Sequence, residues 1–210
     1  MHPEPYLNHT QLKTWETSPA SYVKFFVEGK KLGINRGMAL GRIVADALEL
    51  DEETGDPLKD IVIAGIPKFE AGDDIRDEFM YMTLEHGGIK IPLRIRPDRC
   101  NKALTAFKEY KTGPKESWHQ AKVDRDSQIT FYATGIYIKW QELFGKGRIP
   151  DDIELVHAVT EKDEEGRPHL TGEIIRYRTK RTLLDVMKMK VRMMRAWKEI
   201  GAMLESELYQ

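Results

Sequence analysis

Asp98, Glu109 and Lys111 have the residue types and spacing of a metal-dependent hydrolytic centre. Asp98 follows the run Ile91-Pro92-Leu93-Arg94-Ile95-Arg96, and Glu109 and Lys111 end a strand-like run over residues 103–111. Between them Arg99-Cys100-Asn101-Lys102 reads as a tight turn. Residues i and i+2 of a strand share a face, so Glu109 and Lys111 point the same way, and a hairpin sets Asp98 beside them. Hard carboxylate oxygens suit Mg²⁺ or Mn²⁺. A lysine next to such an ion could position an attacking water and stabilise charge on a phosphate. Taken alone, the same three residues also describe a surface hairpin with an exposed ion pair, because 32% of the chain is charged. Glu28-Gly29-Lys30 and Pro150-Asp151 are partial copies, and neither has strand-like runs on both sides.

The residues downstream narrow the reading. Ser127 opens an apolar helical run to Leu143, with Ile129, Tyr132, Ile136 and Trp140 at helical spacing. Gln128 and Tyr132 are four apart and share one face of that helix. The order Pro97-Asp98, then Glu109-Tyr110-Lys111-Thr112-Gly113, then Gln128 and Tyr132 resembles the PD-(D/E)xK nuclease superfamily, and within it the RecB-like branch with its lambda-exonuclease-like relatives. Thr10-Gln11-Leu12 with Ser18-Pro19 and Tyr22 is similar to the opening helix of that branch, and Gly37-Met38-Ala39-Leu40-Gly41 to its second helix. The likeness spans residues 8–145.

The resemblance implies a restriction-endonuclease-like α/β fold with an αβββαβ core, and a DNA nuclease that hydrolyses phosphodiester bonds with Mg²⁺ or Mn²⁺. It implies Asp98 and Glu109 as metal ligands, the Tyr110 backbone carbonyl as a further ligand, Lys111 as the catalytic lysine, and Gln128 and Tyr132 as holding Lys111 or the DNA strand. Relatives carry a histidine four residues after the glycine of the second helix as another ligand. Here that position is Ala45. Asp46 is the nearest substitute for a third acid, and Asp74, Asp77 and Glu78 are further candidates. Ala45 also admits a different reading, a catalytically impaired DNA-binding or assembly module on the same fold. A third is a protein-interaction domain acting through a Met-rich C-terminal helix.

These residues must be positioned by the rest of the chain. Its 210 residues suffice for one domain with a real core. Residues 10–28 read as a helix broken near Ser18-Pro19, and residues 37–49 as a helix burying Leu40, Ile43, Val44, Ala47 and Leu48. Residues 51–56 read as an acidic loop and 61–66 as a short strand or turn. Residues 79–85 and 89–96 form a hairpin, 153–160 and 170–178 a later strand pair, and 182–208 a long last helix. The expected architecture is a mixed central sheet flanked by helices, with an N-terminal helical part and that C-terminal helix. On the last helix Leu184, Met187, Val191 and Met194, continued by Trp197, Ile200 and Leu204, mark the expected inward stripe. Arg181, Lys188, Arg192 and Arg195 mark a basic face. His119 reads as a loop histidine.

Composition bounds the partners and the compartment. The net charge of −1 hides segregation: residues 46–78 hold twelve acids and three bases, 90–125 ten bases and four acids, and 176–198 nine bases and one acid. Basic segments of this kind attract a polyanion such as DNA. One cysteine, Cys100, excludes an internal disulfide framework and a four-cysteine iron–sulfur cluster. The first five residues carry neither the basic nor the apolar region of a leader, and no run approaches membrane-spanning length, so a cytoplasmic location is expected. No Gly-x-x-x-x-Gly-Lys-Ser/Thr motif occurs, so a recombinase, annealing protein or helicase partner would be a separate chain. Relatives include ring-shaped exonucleases, which leaves a homo-oligomer open.

Overall fold

The computed structural model describes residues 5–31, 36–50, 54–70, 72–76 and 78–207. Asp77 and residues 51–53 of the expected acidic loop lie outside them. Asn8 and Gln11 form a reciprocal capping box that starts α1 (His9–Thr17). Ser18 then caps α2 (Pro19–Tyr22), which runs into a π-helical turn over Val23–Val27. Proline at the first position of α2 explains the break, since it suits a helix start and not a helix interior. α3 (Arg36–Leu50) and α4 (Pro57–Gly65) follow.

β1 (Asp74–Arg76) comes next, then the antiparallel hairpin of β2 (Met80–His86) and β3 (Ile89–Ile95), turned at Gly87-Gly88. β4 (Arg99–Asn101) and β5 (Ala106–Gly113) are antiparallel. A 3₁₀ turn over Lys115–Ser117 and the short α5 (Gln120–Val123) lead to α6 (Ser127–Phe144). α6 crosses over so that β6 (Asp152–Lys162) lies parallel to β5, and β7 (Pro168–Thr179) returns antiparallel. The five-stranded mixed sheet has the order β1-β4-β5-β6-β7. α7 (Leu183–Glu207) closes the fold. The expected α/β architecture, with its N-terminal helices and long C-terminal helix, is what the chain adopts.

Strand alternation divides the core in two. Phe107, Ile153 and Leu155 face α6, α7 and the β2–β3 hairpin. Val156, Ala158 and Tyr110 face α3 and α4, where Val44, Ala47, Val62 and Ile63 are buried. Behind the sheet two charged groups are buried with their partners: Arg99 pairs with Asp74, and Lys108 donates to Glu154 at 2.9 Å, which also accepts from Arg176 Nε at 2.5 Å.

Five readings of local structure are corrected. Residues 99–101 are a strand rather than a turn, because Arg99 and Cys100 are buried and pair with Lys108 and Phe107; the reversal is at 102–105. Residues 61–65 belong to helix α4, which Ile66 ends and which is started by the Asp56 side chain capping Leu58 and Lys59 with Pro57 at the first turn. Ile43 is 46% exposed, one position off the buried Leu40–Val44–Ala47 stripe; the side chain of Leu48 is outside the described set. On α7 the inward stripe is Val186, Met189, Met193, Ala196, Ile200 and Leu204, while Leu184, Met187 and Val191 are exposed. Arg181 belongs to no basic face: it is buried and donates to the Val123 carbonyl and to Thr130 Oγ1.

Candidate active site

The chain leaves β3 through Arg96-Pro97 and enters β4 at Asp98, one residue before the Arg99–Lys108 pair, so Asp98 stands across from Glu109. Asp98 Oδ2 accepts the backbone N–H of Tyr110 at 2.6 Å. Glu109 is 2% exposed. Its Oε1 accepts from Lys111 Nζ at 2.5 Å, while Oε2 is buried with no hydrogen-bond partner. Lys111 Nζ also donates to Gln128 Oε1 at 3.1 Å, and Gln128 Nε2 donates to the Tyr132 hydroxyl at 2.9 Å. The lysine fixes the amide orientation: an ammonium only donates, so the amide oxygen must face it and the amide N–H end meets the Tyr132 hydroxyl. Asp98, Glu109, Lys111, Gln128 and Tyr132 are thus brought into one cluster.

Electrostatics mark the cluster as one in which desolvation raises both acids. Burial pushes the Asp98 carboxyl up, against the pull of Lys111. Burial, and then repulsion from Asp98, push Glu109 up to about 8. Burial alone would lower the Lys111 ammonium, but Glu109 and Asp98 outweigh it and hold the pKa above its ordinary value. Two adjacent carboxylates, one of them buried with an oxygen that lacks a partner, are a donor set that a hard divalent cation fits.

The loop and helix around the cluster explain its Thr-Gly tail. α3 crosses β5 at Gly41, where a Cβ would lie 2.9 Å from Thr112 Oγ1, so only glycine permits this approach. At Gly113 a Cβ would lie 2.8 Å from Ser117 Oγ.

The other candidate acids are elsewhere. Asp46 is on the exposed side of α3, its carboxylate 3.9 Å from Arg42 Nε. Asp74 is engaged with Arg99 and Arg76, and Glu78 is exposed. Among the described residues no three His, Cys, Asp or Glu side chains stand together as a metal-holding group. His119 is exposed at the start of α5.

Two histidines missed in the sequence lie close by. His157 on β6 is in register with Lys111. It is fully buried, with Nε2 2.9 Å from the Gly113 carbonyl and Nδ1 without a partner, and burial lowers its pKa. His9 Nε2 is 2.9 Å from Ser127 Oγ; burial pushes its pKa down to about 4, with the Lys111 charge contributing. A histidine inside the apolar run Leu155-Val156-His157-Ala158-Val159 was the available signal for the first. For the second it was a histidine directly after the helix cap Asn8.

No family model and no curated protein matches the chain. Among solved structures it is similar to a candidate exonuclease from Eubacterium rectale, with a TM-score of 0.56 and 14% identity over 94% of this chain and 82% of that one. It is also similar to LHK-Exo in complex with dAMP, with a TM-score of 0.49 and 11% identity over 97% of this chain and 92% of that one. The first of these likenesses shows a shared fold, across nearly the whole chain.

Proposed function

We propose that this chain is a Mg²⁺- or Mn²⁺-dependent deoxyribonuclease of the PD-(D/E)xK type, in the RecB-like, lambda-exonuclease-like branch, acting as an exonuclease of DNA repair, recombination or phage type. The observation that carries the reading is the pairing of Asp98 with buried Glu109, whose Oε2 is left without a partner beside Lys111. The fold shared with the candidate exonuclease supports it.

In this reading Asp98, Glu109 and the Tyr110 carbonyl would hold the ion. When bound, the ion polarises the scissile phosphate and lowers the pKa of a coordinated water. Lys111 remains protonated, held between Glu109 and Gln128, so it acts as a cation that orients the water and stabilises phosphate charge, and not as a base. Gln128 and Tyr132 are positioning residues that hold the ammonium in place. The exposed basic residues of β3 to α5 would bind phosphates without reading sequence.

The test is incubation of the protein with linear and covalently closed circular DNA, with and without Mg²⁺ or Mn²⁺. Metal-dependent loss of linear DNA with the circle spared is expected. One observation favours a second reading, a catalytically impaired DNA-binding module: Ala45 is exposed and Asp46 faces Arg42, so no third acid joins Asp98 and Glu109 among the described residues. DNA binding without cleavage of either form would favour that reading.

A further inference from the structure

The hairpin that delivers Asp98 carries a second feature on its outward face. Its inward residues Met82, Leu84, Ile91, Leu93 and Ile95 are buried. Outward, Tyr81 is paired in register with Arg94, and Phe79 precedes β2 beside Arg96. Phe79 and Tyr81 are 42% and 52% exposed. The Arg94 guanidinium lies 3.9 Å from the ring centre of Tyr6 and 4.6 Å from that of Phe79, and Arg96 lies 4.8 Å from Phe79. The Tyr6 and Tyr81 rings meet edge to face at 5.7 Å, and Phe79 and Tyr81 are 6.4 Å apart. Tyr6 is fixed there because Leu7 bridges to β3, donating to the Pro92 carbonyl at 2.8 Å and accepting from Arg94 N at 3.0 Å.

We propose that this outward face of β2–β3 is a stacking platform for the unpaired bases of single-stranded DNA, which it feeds to Asp98. The proposal rests on the nuclease reading for the destination of the strand, not for the binding itself. Exposed aromatic faces accept any base by stacking, and guanidiniums among them meet the phosphates that link the bases. Duplex bases present no free face, so the chemistry selects a single strand or a frayed end. The platform is continuous with the site. Arg96 is exposed and two residues before Asp98, and its positive charge acts on both the Asp98 carboxyl and the Tyr132 phenol. Two residues of extended chain span about 7 Å, close to two nucleotides of a stacked strand at about 3.4 Å each.

The test is binding to wild-type protein in EDTA of fluorescent oligo(dT) and of an abasic oligomer of equal length, which keeps the phosphates and removes the bases. Wild type should bind oligo(dT) about tenfold or more tightly than the abasic strand, and Phe79→Ala/Tyr81→Ala should lose that preference. Tyr81→Trp should retain it, with tryptophan fluorescence quenched on addition of oligo(dT); this variant keeps a ring in place should the double alanine variant not fold. Equal binding of the two oligomers by wild type, or an unchanged preference in Phe79→Ala/Tyr81→Ala, would overturn the platform. A change in self-association with DNA binding unaltered would overturn it too, and make the face a protein contact. Because the assay contains no metal, base-dependent binding by a protein that cleaves nothing would sink the nuclease reading alone. Cleavage without base-dependent binding would sink the platform alone.

Discussion

Asp98 Oδ2 accepts the backbone N–H of Tyr110 at 2.6 Å, and this one bond sets the spacing of the two carboxylates. It ties the first residue of the Asp98 turn to the strand residue between Glu109 and Lys111. Glu109 therefore faces Asp98 across the β4–β5 pair, where burial first and then the Asp98 charge raise its proton affinity.

Replacing Glu109 by Gln, or Asp98 by Asn, should reduce cleavage of linear DNA to background while the fold persists. Metal-free stability should respond in the opposite sense for Glu109→Gln. Glu109 rises from an ordinary 4.5 to about 8, so the folded protein holds a proton that the unfolded chain gives up between those values. Stability linked to Glu109 is therefore full below about 4.5 and lost as the pH rises through 8. Thermal melts of the apo protein across that range should show the decline in wild type and a flatter profile in Glu109→Gln.

Lys111→Ala should keep Mn²⁺ affinity by calorimetry and lose cleavage by roughly 10²-fold or more, because the ammonium stabilises charge and supplies no ligand oxygen. Gln128→Leu should cause a smaller loss, with the lysine present but free to swing from its place. A Gln128→Leu rate equal to that of Lys111→Ala would assign the glutamine a direct part in the reaction.

The buried pair behind the site has its own pH signature. Burial would raise the Glu154 carboxyl, but hydrogen bonds from Arg176 and Lys108 outweigh it and hold it below its ordinary 4.5. Its contribution to stability is thus present above about 4.5 and lost as the pH falls through the folded value. Glu154→Leu should cost roughly 3–5 kcal/mol at pH 7 in urea denaturation, since it strands the buried Lys108 charge. Adding Lys108→Met should recover much of that loss.

The residues that chemistry demands were legible before the fold, and the faces of several elements were not. Asp98, Glu109, Lys111, Gln128 and Tyr132 could be read because strand and helix periods place them by counting. β4 was hidden because Arg99-Cys100-Asn101-Lys102 has the composition of a turn until the buried partner of Arg99, Asp74, is known. α7 misled because it is apolar on two sides: Leu184 and Met187 keep the same spacing as Val186 and Met189, and only packing chooses between the stripes. His157 was missed because its local signal, an apolar run on both sides, says that it is buried and not which strand it meets.

The third ligand can be tested on α3. Gly41 packs against Thr112, the residue after Lys111, which anchors α3 on the face of β5 opposite to Glu109 and Lys111. Ala45 is one turn further along and is exposed, and Asp46, about 100° around the helix from it, is turned to Arg42. Asp46→Asn should therefore leave Mn²⁺ affinity unchanged. Ala45→His offers an imidazole at the position that relatives fill with a ligand, and should tighten Mn²⁺ binding and raise cleavage at low metal concentration. Gly41→Ala supplies a control on the anchor. Its Cβ would stand 2.9 Å from Thr112 Oγ1, so α3 must shift, and any gain from Ala45→His should shrink when the two are combined. Weaker Mn²⁺ binding in Asp46→Asn would show instead that this side chain leaves Arg42 and swings to the ion. Unchanged affinity in both Ala45→His and Asp46→Asn would mean that α3 supplies no ligand, and that water completes the shell around Asp98 and Glu109.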